Sequence, residues 1–299
     1  MLIKPKVLGI SYAIIAPLFF GVLPFCWRYV PLPTLLLILD RCLFTFAISG
    51  VFLLITGEWE TVRNFSLNVI KKVAKSAFYL GSHLGVFMGA IDLGHQVEAA
   101  IGMFLAPAAT AVLSTILLGE KLNTIKRFCV GISVFSAIIF FYEAQEIPYF
   151  AVFIALTWGL YLCERKHALK MVNHPLAYSW LEQSLIAVVL IVIVIFNSVF
   201  LANVQPLTAV NSTAFLVLGA GCTLATIASF LQSKASQMID CSQVGMLGVL
   251  SPVVQFTVAV IVDQKPVSLL QGTAIMLLLI AVVLYNCPPL KNPTLSKAN

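Results

Sequence analysis

Inside stretches that are otherwise apolar, this chain carries a few polar side chains whose types fit the handling of a small solute. Arg41 lies within one such stretch, with Asp40 beside it. Neighbours in sequence point about 100° apart on a helix, so the two do not share a face. A charge in hydrocarbon costs a few kcal/mol on insertion scales and needs a partner or a water-lined cavity. Arg41 can contact a carboxylate or other acceptor in such a cavity, or serve as a structural staple tied to carbonyls. Glu182, several residues into a later stretch, can bind an amine or carry a coupling proton; its structural alternative is a partner for Arg165 or Lys166. His83 stands within Gly81-x-x-x-Gly85-x-x-x-Gly89, whose glycines form a smooth stripe suited to close helix contact. It projects from another face, either toward a cavity or into a satisfied core position. Trp158 and Tyr161 are three apart and share a helix face, which suits stacking on a flat substrate, sealing a gate, or plain packing. Pro17, Pro107 and Pro252 sit in mid-stretch, where each frees a carbonyl and bends its helix, making them candidates for kinks and gating. Glu98 opens a helix, where negative charge is favourable, and Glu120 is expected to pair with Lys121 or Arg127. The four histidines lack metal-ligand spacing, and the seven cysteines include no C-x-x-C pair. No metal, cofactor or catalytic residue is therefore expected.

The elements that must hold these residues follow from composition. Of 299 residues, 60% are hydrophobic and only 10% charged, against roughly 25% charged in an average soluble domain. Mean hydropathy is +1.00. A soluble chain of this size cannot hide so much apolar surface, which argues against soluble enzymes, nucleic-acid binders and disordered chains. Ten apolar runs are visible: Val7–Tyr29, Pro33–Thr56, Lys72–Leu93, Val97–Leu118, Lys126–Tyr142, Pro148–Cys163, Leu176–Asn197, Thr213–Ser236, Gln243–Asp263 and Leu269–Cys287. A spanning helix needs about 20 residues. The first run lacks a small-residue cleavage site and reads as a retained helix. With the N-terminus in the cytoplasm, 15 of the 18 Lys and Arg fall inside, Arg28 and Lys265 fall outside, and Arg41 lies within a span. That asymmetry sets the expected topology, with both termini cytoplasmic in a bacterial inner membrane. Glu164–Pro175 reads as a charged joint on the inner face, and Asn197–Ser212 as the longest outside loop.

The chain also looks doubled. The fourth run reads Glu98-Ala-Ala-Ile-Gly-Met-Phe-Leu-Ala-Pro107 and ends in Gly119-Glu120-Lys121; the ninth reads Gln243-Val-Gly-Met-Leu-Gly-Val-Leu-Ser-Pro252 and ends in Asp263-Gln264-Lys265-Pro266. Asp40-Arg41 and Glu182-Gln183 correspond at a similar offset. Halves of five helices must run in opposite orientations, as in the inverted repeats of secondary transporters. The expected division is 1–145 and 146–299.

The segment from His95 through Pro107 to Gly119-Glu120-Lys121 resembles the drug/metabolite transporter superfamily. Trp158-Gly-Leu-Tyr161, Arg165-Lys166, Arg41 and Glu182 are similar to its EamA-type, RarD-like branch. The resemblance implies an all-α polytopic membrane protein of ten helices in two EamA repeats, and export of small metabolites or amino acids. The chain departs from that pattern at His83-Leu84, at Gln232-Ser233-Lys234 and at the end of the ninth run.

Function is expected to follow: a secondary transporter that moves a small polar metabolite by alternating access, with uptake or exchange as the alternative direction and proton coupling open. No Gly-x-x-x-x-Gly-Lys phosphate loop occurs, so ATP is not expected to drive it. A membrane-embedded enzyme would need clustered ligands or a nucleophile with its base, and a channel would need polar residues at all depths. The expected partners are the bilayer and a small molecule, with no nucleic acid.

Overall fold

The computed structural model describes residues 5–144, 149–200, 211–262, 264 and 267–287. Lys4, Lys265, Lys291, Lys297, most of the Asn197–Ser212 loop and the division at Glu143–Glu146 fall wholly or largely outside them. The described residues form twelve helices and no strand: α1 (Pro5–Trp27), α2 (Thr34–Ile55), α3 (Trp59–Arg63), α4 (Leu67–Asp92), α5 (Gln96–Leu118), α6 (Thr124–Ala144), α7 (Tyr149–Val172), α8 (Pro175–Phe200), α9 (Ser212–Met238), α10 (Cys241–Leu247), α11 (Leu250–Val262) and α12 (Leu269–Asn286). Eight segments are long and apolar enough to cross a membrane; α10 and α11 together make one of them. Helices α4 and α7 have the length but carry Lys71, Lys72 and Lys75, and Glu164, Arg165, Lys166 and Lys170. Residues such as Leu54, Ile55, Phe78, Ile116 and Leu216 lie exposed on the outside of the bundle, as suits a face turned to lipid. The result is a polytopic helical membrane protein.

Three runs differ from their sequence reading. The third starts earlier, at Leu67, where the Ser66 hydroxyl caps the helix by accepting the Val69 N–H at 3.4 Å. The sixth does not stop at Cys163. Helix α7 continues through Glu164-Arg165-Lys166 to Val172, because each of those charges finds a partner in a neighbouring helix. It ends only at Asn173, which takes the left-handed conformation (φ 51°) that Asn tolerates. The segment read as a charged joint is thus mostly helix, and the joint shrinks to Asn173 and His174. The ninth run is two helices. Pro252 has no N–H to give and its ring crowds the carbonyl four residues back. That carbonyl, on Gly248, accepts instead from the Ser251 N–H at 3.1 Å, and the chain kinks between α10 and α11.

Packing is tight where glycines let α5 touch its neighbours. A Cβ on Gly102 would lie 2.9 Å from the Ala151 carbonyl, one on Gly159 3.1 Å from the Thr110 nitrogen, and one on Gly245 2.5 Å from Thr110 Cγ2. Helix α5 is thereby clasped between α7 and α10. The Gly81, Gly85, Gly89 stripe does not do this work: nothing lies within 4 Å of a Cβ at any of the three. Other contacts come in matched pairs. Helix α4 packs on α7 as α9 packs on α1, α2 packs on α9 as α8 packs on α4, and α2–α8 and α6–α12 pack directly.

Gly102→Val is expected to cost about 1–3 kcal/mol by overpacking α5 against α7, seen as a lower thermal midpoint in detergent. Gly85→Ala, in open space, is expected to leave the midpoint unchanged or higher, since Ala favours the helix.

Candidate functional site

A cavity of about 100 Å³ lies between two groups of helices, α1, α9 and α11 on one side and α4, α5 and α7 on the other, with Arg41 of α2 in its wall. Its lining reaches Trp27, the last residue of α1, and Met88 near the end of α4. Aromatic and apolar groups dominate, among them Phe20, Phe87 and Trp158; polar atoms come from Arg41, His83, Tyr161, Ser229, Gln232, Ser251 and Gln255. His83 Nδ1 lies 3.2 Å from the Ile154 carbonyl, and its ring sits 4.8 Å from Trp158 and 6.0 Å from Phe87. Trp158 in turn contacts Tyr161, with ring centroids 5.4 Å apart.

A proline leaves the carbonyl four residues before it without its helical donor. For Pro24, Pro107 and Pro252 those carbonyls belong to Phe20, Met103 and Gly248, all three of which are lining residues of the cavity; the Gly248 carbonyl has the Ser251 N–H as its replacement donor. Helices α1 and α5 stay continuous through their prolines; only Pro252 accompanies a break.

The floor is organised by Arg165, which is 1% exposed. Its guanidinium donates to the Tyr161 hydroxyl at 2.5 Å, to Gln232 Oε1 at 2.6 Å, to the Ser229 carbonyl at 2.7 Å and to the Ser233 hydroxyl. Tyr161 passes the link on, donating to Glu182 Oε2 at 3.4 Å. Glu182 Oε1 accepts from Tyr178 and, at 2.8 Å, from Ser76. A buried cation and a buried carboxylate are thus joined through one phenol, and four helices, α4, α7, α8 and α9, meet at the pair.

Arg41 is the opposite case. It is 6% exposed, yet among the described residues nothing accepts a hydrogen bond from it and no carboxylate pairs with it. Its guanidinium lies 5.8 Å from the Phe20 ring centroid.

Beyond the floor, a second polar layer closes the end of the bundle where α5 finishes. Gly119, left-handed at φ 68°, turns the chain so that Glu120 points across to α10. There its two oxygens accept the Cys241 and Ser242 N–H groups at 2.6 and 3.0 Å, and Lys166 lies 3.2 Å away. Asp240, the residue preceding α10, does not cap it and faces Lys126 at 3.2 Å. Burial works against charge on Glu120, but the amides of Ser242 and Cys241, with Lys166, outweigh it and hold the carboxyl below its usual range. Lys75 reaches Glu164 at 2.6 Å on the same side.

Of the sequence candidates, Arg41, His83, Trp158, Tyr161 and Pro17 line the cavity; Glu182 stands behind Tyr161, and Pro107 and Pro252 are not in the lining, though Met103 and Gly248, four residues before them, are. Glu182 is not paired directly with Arg165 or Lys166. Glu120 pairs with Lys166 and α10, not with Lys121 or Arg127. Glu98 does more than favour its own helix: it accepts the Phe150 N–H at the start of α7 at 3.1 Å. Sequence reasoning missed Pro24 and Gln255, and named Arg165 only as a candidate partner of Glu182 and a family feature, not as the centre of a hydrogen-bonded floor. Gln232 and Ser233 appeared only as a departure from the family pattern; their polarity is the complement of Arg165.

No family model matches the chain. It is 22% identical over 298 residues to an uncharacterized transporter, YojE, of Bacillus subtilis, with 97% of each chain covered. It is 26% identical over 164 residues to the protein RarD of Salmonella typhi, covering 53% of this chain and 55% of that one. A protein of known crystal structure shares its fold with a TM-score of 0.73 at 16% identity, over 93% of this chain and 96% of the other. Fold and cavity define a class, the multi-pass helical membrane proteins built around a central pocket. Within it the chain is similar to transporters of the RarD-like kind, as Trp158-Gly-Leu-Tyr161, Arg165-Lys166, Arg41 and Glu182 implied.

Glu120→Gln is expected to lower stability at neutral pH by about 1 kcal/mol, the usual worth of a lost cap. Because the folded carboxyl titrates below its ordinary range, its contribution is complete above about pH 4.3 and fades as pH falls. Thermal midpoints of wild type and variant in detergent should therefore converge as pH falls below about 4.3 through the folded carboxyl's range.

Proposed function

We propose that this chain is a secondary carrier that moves a small polar metabolite, an amino acid or related compound, across the bacterial inner membrane by alternating access. The observation that carries the reading is the cavity: it lies between helices from both halves of the chain, holds an unpartnered arginine, and is backed by a closed polar floor. In this reading α4 and α7 cross the membrane with the eight apolar segments, giving ten spans in two inverted halves, 1–145 and 146–299. The matched helix contacts, α4–α7 with α9–α1 and α2–α9 with α8–α4, support that symmetry. The Lys and Arg distribution supports cytoplasmic termini. Export is the direction taken from the family resemblance; uptake or exchange uses the same site.

The transport cycle would exchange two closures. In the present state the Arg165 floor and the Glu120–Lys166 layer seal the inner end, and the cavity reaches outward past Trp27 and Met88. Rocking of the halves about the α10–α11 break would open the inner end and close the outer one. In this reading Glu182 would carry the coupling proton, because a proton there weakens the hydrogen bonds it accepts from Tyr161, Tyr178 and Ser76.

In proteoliposomes, counterflow of candidate amino acids and related metabolites should require the protein. Arg41→Ala and Glu182→Gln are each expected to lower flux by at least about tenfold with expression intact; full activity in both removes the assignments, and no flux of any solute removes the carrier reading. Lys121→Cys, on a background with the exposed Cys287 changed to serine, should label only from the cytoplasmic side.

A further inference from the structure

The cavity contains one feature whose chemistry names its ligand. Arg41 is a cation at 6% exposure with no acceptor and no counter-charge among the described residues. Burial of an unpaired charge is costly, and the same protein shows how a structural arginine is accommodated in this bundle: the two terminal nitrogens of Arg165, even more buried, reach four acceptors and Glu182 through Tyr161, with only its Nε unmatched. A staple would look like Arg165. Arg41 instead faces a cavity, with the Phe20 ring beside it and Trp158 among the lining residues.

We propose that the solute bound in this cavity is an organic monoanion with a flat apolar body, its carboxylate taken by the Arg41 guanidinium and its ring lying against Phe20 and Trp158. This rests on reading the cavity as the solute site of the carrier, and within the related compounds of that reading it selects an anion without the ammonium group of an amino acid. Guanidinium and carboxylate match as a two-pronged pair. The cavity, at about 100 Å³, is smaller than the roughly 150 Å³ of an apolar cavity that holds one benzene, so it admits no body larger than a single ring, and that ring enters with some displacement of the lining. Among the described residues no Asp or Glu lines it, and both oxygens of the nearby Glu182 are already engaged. An ammonium group therefore meets no counter-charge, and an anion is preferred over a zwitterion or a cation. The side-chain amides of Gln232 and Gln255 can serve a hydroxyl or carbonyl on the ring.

The test uses the full chain in detergent and four probes: benzoate, acetate, phenylalanine and benzylamine. Benzoate should raise the thermal midpoint and bind at least about tenfold more tightly than each of the other three. Arg41→Met should abolish the benzoate shift and, because it removes an uncompensated charge, raise the midpoint of the ligand-free protein. Arg41→Lys should keep weakened benzoate binding. A ligand-free midpoint that falls in Arg41→Met, or failure of that variant to fold while Arg41→Lys folds, marks Arg41 as a structural charge and overturns the proposal. Equal or tighter binding of phenylalanine or benzylamine overturns it as well. So does the absence of benzoate binding to wild type. Liposome flux separates the two levels: transport of another solute without benzoate binding leaves the carrier standing and removes only the anion.

Discussion

The burial of the Arg165 charge constrains most of this bundle. A guanidinium in an apolar interior must have its donors met, and the cost of leaving it unmatched exceeds that of many lost apolar contacts. Meeting them fixes α7 against α9 through Gln232, Ser229 and Ser233, and fixes Tyr161, which in turn positions Glu182 on α8. Ser76 brings α4 to the same carboxylate. Four helices are thus registered by one charge pair, in a setting where apolar contacts between helices give little direction because lipid offers the same contacts.

The two buried arginines divide the work. Arg165, whose terminal nitrogens reach four acceptors, belongs to the scaffold; Arg41, with no acceptor among the described residues, belongs to the cavity. Between them lies Tyr161, which lines the cavity while it bridges Arg165 to Glu182. A ligand that moves Tyr161 therefore acts directly on the hydrogen bonds that hold the floor. The scaffold and the site share a residue, Tyr161, and need no long chain of contacts to communicate.

Much of the fold was legible because apolar length and helix breakers are local signals. The runs located the long helices, and lone polar residues in apolar sequence located Arg41, His83 and Glu182. Arg165 was not legible: it sits between Glu164 and Lys166, and a cluster of charges reads as a loop when its partners are distant in sequence. Those partners, Lys75, Glu120 and Gln232, lie 46 to 89 residues away. The glycines misled for a similar reason. Gly81, Gly85 and Gly89 have the regular spacing of a contact stripe but face open space, whereas the irregularly placed Gly102, Gly159 and Gly245 make the close contacts. Spacing describes a face of a helix; only tertiary structure says what that face meets.

Helix α10 is seven residues long, below the length at which a helix holds itself together in isolation. Its own preceding residue does not cap it; a carboxylate 121 residues earlier in the chain does. The order of this segment is therefore borrowed from the opposite half of the chain. Separating Glu120 from Cys241 and Ser242 would leave those two amides without their acceptors, and α10 would then be held by its packing on α5 at Gly245 and Thr110. Any loosening of its first turn would release chain entropy that offsets part of the cost of breaking the polar layer.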